Sequence, residues 1–210
     1  MNKNTFFTAD THFHHANIIR YCNRPQLQPG DEVIDSWGRP AWVSPEIAQI
    51  RCKAMDEMLI TNWNNTVTNN DIVYHLGDVL FGKATEAVDL LMSLNFKKLF
   101  FINGNHDKAM ADLQRAIATE PFPERIQDNV IYLGDLCEIT VNSQPVVLCH
   151  YSLRTWSRAH HGSWQLYGHS HGTLPDDHKL LSMDVGVDVN NYKPISFKEV
   201  ATYMNNKSKK

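Results

Sequence analysis

Three short apolar runs, Thr5-Phe6-Phe7-Thr8, Asp71-Ile72-Val73-Tyr74-His75-Leu76 and Leu99-Phe100-Phe101-Ile102, are separated by stretches of helical periodicity. This order constrains the fold more than any other feature. Strands joined through helices need crossover connections, crossovers are right-handed, and the outcome is an α/β fold whose largely parallel strands end on one shared edge. The long helix opens at Ser44-Pro45, an N-cap followed by proline at N1, and carries Ile47, Ile50, Ala54, Met58 and Leu59 through to Trp63. A second runs from Thr85 to Leu94 with Ala87, Val88, Leu90, Leu91 and Leu94 apolar. Shorter helices are expected at Ile18-Ile19-Arg20-Tyr21, after Asn17, and from Lys108 to Ala118.

Past residue 118 the apolar period changes to two. Strands are expected over Val130 to Leu133, Cys137 to Val141 and Val146 to Cys149, with Asn142-Ser143-Gln144 as a hairpin turn. A short strand Gln165 to Tyr167, strand-like residues 180–187 and a final helix from about Ser196 to Tyr203 complete the pattern. Residues 23–44, rich in Pro, Gly and Trp, read as a long structured loop, either a flap over a site or a packed decoration. With 210 residues and 42% hydrophobic content, one domain over 1–204 is expected, with 205–210 as a basic, frayed tail. Cys22, Cys52, Cys137 and Cys149 form no Cys-x-x-Cys pair, so neither a zinc knuckle nor a disulfide framework is indicated. No signal-peptide core is seen, and no apolar run approaches the ~18 residues that span a bilayer, so a soluble cytoplasmic protein is expected.

The chemistry sits where strands stop. Asp10 and His12, Asp78 after Gly77, Asn105-His106-Asp107 after Gly104, His150, and His169 with His171 each follow an apolar run. Open α/β sheets bind ligands at the carboxyl ends of their strands. On an extended segment residues i and i+2 face one way, so Asp10 with His12, and His169 with His171, can each close on a cation. Any one cluster is an ordinary polar turn. Five in succession, in a chain with 11 histidines, are not.

The order Asp-x-His, Gly-Asp, Gly-Asn-His-Asp, His, Gly-His-x-His closely resembles the calcineurin-like metallophosphoesterases from residue 8 to residue 188. Asp10-Thr11-His12-Phe13 with Asn17-Ile18-Ile19-Arg20 looks like a small bacterial and phage branch of that family. The resemblance implies a four-layer α/β/β/α sandwich with central mixed β-sheets. It also implies two divalent transition-metal ions, one held by Asp10, His12, Asp78 and His171, the other by Asp78, Asn105, His150 and His169. Asp78 would bridge them, and a shared hydroxide would attack a phosphoester. His106 would assist the leaving group, with Asp107 fixing its tautomer, capping the next helix, or both. Imidazole, carboxylate and carboxamide donors without thiolate suit Mn, Fe, Zn or Ni better than Mg or Ca.

The implied activity is that of a phosphoric ester hydrolase acting on a small phosphomonoester or phosphodiester, a nucleotide among the candidates. Selectivity must come from groups around the metals. His14, His15 and Asn17, Arg154 and Arg158, and the loop of Trp37 and Trp42 are the candidates, since Arg can grip a second phosphate or a carboxylate and Trp can stack on a base. Asp10 and Asp78 lie 68 residues apart because the Trp-rich segment and the long helix stand between them, so substrate scope does not transfer from smaller relatives. Two rival readings are a nuclease of the same fold and a catalytically silent metal-binding interaction module. The first needs a basic groove, of which a net charge of -3 gives no sign, and so an extended nucleic-acid partner is not expected. The second should have lost ligands or His106, and every position is filled. Metal identity, ester preference and oligomeric state stay open at this level.

Overall fold

The computed structural model describes residues 4–119 and 121–207. The chain opens with β1 (Thr5–Thr8) and α1 (Ala16–Tyr21), makes a hairpin of β2 (Glu32–Ile34) and β3 (Pro40–Trp42), and enters α2 (Pro45–Thr66). There follow β4 (Ile72–His75), α3 (Ala84–Ser93), β5 (Lys98–Phe101), α4 (Lys108–Ile117), α5 (Glu124–Asn129) and β6 (Val130–Tyr132). The second half runs β7 (Leu136–Val141), β8 (Gln144–Cys149), β9 (Trp164–Tyr167), β10 (Ser182–Asp184), β11 (Ile195–Ser196) and α6 (Phe197–Lys207). Ser44 begins α2 as its composition demands, its hydroxyl accepting from the Ile47 amide at 3.3 Å with Pro45 at the first helical position.

One sheet has the order β11-β1-β4-β5-β6, with β1, β4, β5 and β6 mutually parallel and β11 antiparallel. Register pairs Thr8 with His75 and His75 with Phe101, so the loops after β1, β4 and β5 leave from the same edge. A second sheet has the order β10-β9-β8-β7. Its β7–β8 hairpin turns on Asn142 and Ser143, both at positive φ (49° and 69°), the backbone that a two-residue loop between right-twisted strands requires.

Two apolar clusters hold these layers together. Phe6, Val73, Leu99 and Phe101 pack against Met55, Leu59 and Trp63 of α2, Leu90 and Leu91 of α3, and Met110 and Leu113 of α4. Phe7, Leu76 and Ile102 instead meet Val146, Leu148 and Leu166 of the second sheet and Val200 and Met204 of α6. Phe6 and Phe7 enter different clusters because successive strand residues point to opposite faces. With both faces covered, the strands read as continuous apolar runs rather than alternating ones. The architecture is mixed α/β, with sheets flanked by helices, and among the described residues no helix is long and apolar enough to cross a membrane.

Val130 to Tyr132 joins the parallel sheet beside β5, and α5 precedes it without a periodic signal because that short helix buries only Ile126. Two expectations need correction. Residues 23–44 are not loop throughout: they contain β2 and β3, which lack alternation because neither face of this hairpin is deeply buried. Finally, 205–207 are not a frayed tail. Lys207 is 7% exposed at the end of α6, its ammonium donating to the carbonyls of Leu180 (3.1 Å) and Ser182 (2.7 Å) and pairing with Asp176. A lysine stem covering apolar surface with its charge fully partnered cannot be told from a solvated one by composition. The rest of the basic run, 208–210, lies outside the described residues.

Candidate metal centre

The loops leaving the shared edge turn sharply. Asp10, His12, Asp78, His169 and His171 all adopt left-handed backbone, with φ of 57°, 50°, 57°, 65° and 46°. The extended i, i+2 arrangement expected for Asp10 with His12 and for His169 with His171 is therefore not what brings ligands together. Such conformations cost of order 1–3 kcal/mol each in non-glycine residues and persist only where the surroundings hold them. Here the holding bonds are Asp10 N–H to the Gly77 carbonyl and His12 N–H to the Asp78 carbonyl, both 3.0 Å. The turn also splits the second pair: the His169 ring lies 5.1 Å from that of His150, whereas the His171 ring lies 5.1 Å from that of His12.

Close approach between these loops leaves no room for a Cβ at Gly77, Gly104 or Gly168. Gly77 sits at φ 96°, and a Cβ there would fall 2.4 Å from the Gly104 nitrogen and 2.7 Å from His150 Nδ1. At Gly168 a Cβ would fall 2.5 Å from Asp10 Oδ2.

Asp10 is wholly buried and accepts the His169 amide on both oxygens, at 3.0 and 2.9 Å. Burial raises its pKa well above the ordinary carboxylate value. His12 is buried as well, and burial followed by the charge of His171 pushes its imidazole far below the usual range. Neither of its ring nitrogens has a hydrogen-bond partner among the described residues. An unmet buried polar atom costs ~1–3 kcal/mol, a penalty that a cation on the nitrogen lone pair removes.

His150 presents the other half. Its Nδ1 lies 2.7 Å from the Leu76 carbonyl, which only accepts, so Nδ1 carries the proton; Nε2 keeps its lone pair, 3.1 Å from Asn105 Oδ1, a second acceptor. Burial lowers its pKa, the Asp78 charge opposing. Asp78 Oδ2 stands 3.4 Å from His12 Nε2 and 3.6 Å from His150 Nε2, while Oδ1 accepts the His106 amide at 2.9 Å. One carboxylate oxygen thus sits between two imidazole nitrogens from different loops.

His171 completes the first side through a partner absent from the sequence expectations. Its Nδ1 is 2.7 Å from Asp188 Oδ2. Burial would lower its pKa, but the hydrogen bonds to Asp188 and Cys22 and the charge of Asp10 outweigh that and raise it to about 10. Asp188 is in turn gripped by Arg24, Nε to Oδ1 at 2.8 Å and Nη2 to Oδ2 at 2.9 Å. The same fully buried guanidinium donates to the carbonyls of Asp10 (2.7 Å) and Thr11 (2.9 Å) and to the Met55 sulfur. All its donors are used, and it ties the start of the 23–44 segment to the loop of Asp10 to His12.

Two groups of chelating side chains emerge, Asp10 with His12 and His171, and Asp10 with Asp78 and His150, each with donor atoms within 4.8 Å of one another. Asp10 is common to both, in contrast to the expectation that Asp78 alone is shared. The His150 atom near Asp10 is Nδ1, at 4.0 Å, and that nitrogen is committed to Leu76. A third group, Cys22, His171 and Asp188, has the Asp188 oxygens already occupied by Arg24 and His171. These clustered His and Asp side chains can chelate metal ions.

The remaining candidates separate. His106 lies exposed at the mouth, its ring 5.9 Å from that of His12 and 5.1 Å from that of Phe81. Asp107 neither orients that ring nor caps α4 with its side chain. It is buried and accepts the amides of Asp78, Val79 and Gly104, each at 2.7 Å, which staples the loops after β4 and β5 together. His15 stacks on Phe81 at 3.8 Å, and burial lowers its pKa to about 4. Asn17 Oδ1 accepts from Arg20 Nη1 (3.2 Å) and Trp42 Nε1 (3.1 Å). Arg154 and Arg158 are exposed, and among the described residues neither side chain makes a hydrogen bond or ion pair. Trp37 is 79% exposed at the hairpin tip, away from Trp42. Sequence reading missed Arg24, Asp188 and the buried His75; a signal for Asp188 was present, an acid following the strand-like run of 180–187.

No family model matches the sequence. A crystal structure of a protein of unknown function, AQ665 from Aquifex aeolicus, superposes with a TM-score of 0.61 over 96% of this chain and 100% of the other at 21% identity, a likeness of fold alone. The uncharacterized protein MJ1445 of Methanocaldococcus jannaschii is 32% identical over 198 residues, which cover 91% of this chain and 85% of the relative. At that identity and coverage, the chain belongs to the family of MJ1445.

Proposed function

We propose that the chain is a dinuclear metal-dependent phosphoesterase of the calcineurin-like kind, its layers forming that family's α/β/β/α sandwich. The observation that carries this reading is the Asp78 oxygen placed 3.4 Å from His12 Nε2 and 3.6 Å from His150 Nε2. One ion would be held by Asp10, His12, Asp78 and His171, the other by Asp78, Asn105, His150 and His169. When bound, two such ions neutralise phosphoryl oxygens and lower the pKa of water.

The side chains do the rest. Buried Asp10 and Asp78 supply the negative charge that two cations require. Leu76 and Asp188 engage Nδ1 of His150 and His171, which leaves Nε2 of each ring as the nitrogen that an ion would take. His106, free of any ligand role and exposed at the mouth, holds a proton where a departing ester oxygen emerges. Asp107 positions it at one remove, by locking residues 104–107 onto residues 78 and 79.

The test is turnover of a panel of phosphomonoesters and phosphodiesters by protein loaded in turn with Mn, Fe, Zn or Ni. Hydrolysis with at least one metal, abolished by a chelator, is expected. Two ions bound with no turnover of any ester would leave a silent metal-binding module instead.

A further inference from the structure

The hairpin of β2 and β3 and the helix α1 enclose a cleft of about 860 Å³ whose walls include Asn17, Arg20, Tyr21, Glu32, Arg39 and Trp42. We propose that this cleft is the base-binding subsite of a nucleotide substrate, an inference that rests on the phosphoesterase reading for the other end of that molecule.

Three observations converge. The first is aromatic surface in reach of a ligand: Tyr21 is 69% exposed, although it is a large ring beside the deeply buried Ile18 and Ile19. Arg20 braces both rings of the cleft, its guanidinium 5.9 Å from the Tyr21 centroid and 5.7 Å from the Trp42 centroid. Rings held in this way offer a flat group stacking at little entropic cost.

The second is charge. Arg20 pairs with Glu32 at 2.9 Å, and Arg39 pairs with Asp35, which also lines the cleft, at 3.2 Å. Two cations matched by two carboxylates leave no excess to attract a second phosphate. A neutral planar group with donors and acceptors on its edge fits such a wall, and so do the hydroxyls of a sugar beside the 39%-exposed Glu32 carboxylate.

The third is continuity with the metal ligands. Tyr21 lies 6.3 Å from the His15 ring, and His15 lies 5.5 Å from the His12 ring. A phosphate at His12 and a base at Tyr21 are therefore two ring-to-ring steps apart, the reach of one phosphate–sugar–base unit. The segment that supplies Trp42 is also fastened to the centre itself, through Arg24.

The experiment titrates the full chain with adenosine, and in parallel with ribose, following tryptophan fluorescence and heat. Adenosine carries no phosphate and needs no metal, so the cleft is read without the catalytic site. Saturable adenosine binding is expected, with ribose at least about tenfold weaker because it brings no ring to stack. Tyr21→Ala and Trp42→Ala should each weaken adenosine at least about tenfold, the scale of losing one base–ring stack, and Trp42→Phe should restore it. No saturable binding into the millimolar range, or equal binding by Tyr21→Ala, would overturn the proposal. Phosphoester turnover without adenosine binding would remove the cleft and leave the phosphoesterase reading; adenosine binding lost in the variants, with no turnover, would do the reverse.

Discussion

Asp188 joins a candidate metal-binding imidazole to a buried cation. It accepts from His171 Nδ1 at 2.7 Å while both its oxygens hold Arg24. Its pKa is lowered despite burial, because His171 and Arg24 both favour the anion. Asp188→Asn should weaken binding of the metal at Asp10, His12 and His171 by ~10- to 100-fold, the usual consequence of removing the partner that orients a ligating histidine. A chelator-competition titration measures this; unchanged affinity would mean that His171 is not a ligand. The same substitution leaves the Arg24 charge buried without its anion, which should cost ~3–5 kcal/mol in a denaturation curve of the metal-free protein. His106 invites a different readout. His106→Ala should keep metal stoichiometry and lower turnover of esters with poor leaving groups by ~10²-fold or more, sparing activated esters. Equal losses on both would make His106 a positioning residue.

At the level of elements, strand ends and the loops leaving them decide where ligands stand. The loop before His169 must pass within reach of Asp10, so Gly168→Ala should displace the Asp10 carboxylate and lower metal affinity at both clusters. A circular dichroism spectrum like that of the wild type, alongside the lost affinity, would assign the defect to the loop rather than to folding. The strand β4 carries a further consequence in His75. Its Nε2 lies 2.9 Å from the Thr11 hydroxyl, which itself donates to the Val79 carbonyl, so His75 is the donor in that pair. Burial, then the charge of His150, lowers its pKa from 6.5 to about 3. A histidine that folds neutral contributes stability fully present above its unfolded value, and loses it as pH falls through 6.5 toward 3. In that window His75 should account for about 1.4 kcal/mol per pH unit of the slope. His75→Gln should remove that share of the slope in urea titrations at several pH values; an unaltered slope would place the charge of His75 elsewhere.

Much of this was legible in the sequence, for a physical reason. Ser44-Pro45 begins a helix in any context, and the covered strands announce themselves as apolar runs cut off by polar residues. What sequence could not show was how loops bend: Asp10 and His12 look extended but are left-handed, and the carboxylate of Asp107 leaves its neighbour His106 for the amide of Gly104 and two amides of the distant 78–79 loop. Likewise Arg24 and Asp188 are 164 residues apart, and no local pattern links a buried guanidinium to its anion.

For the whole molecule, the parallel sheet brings residues far apart in the chain to one edge, and the inserted hairpin adds a neutral aromatic cleft beside it. The central claim is that this edge holds two ions joined by Asp78. It is tested most directly by the metal content of the purified chain after manganese reconstitution and removal of free metal. Two ions per wild-type chain and the loss of both in Asp78→Asn are the results expected. One ion per wild-type chain, none, or two retained by the variant would contradict it.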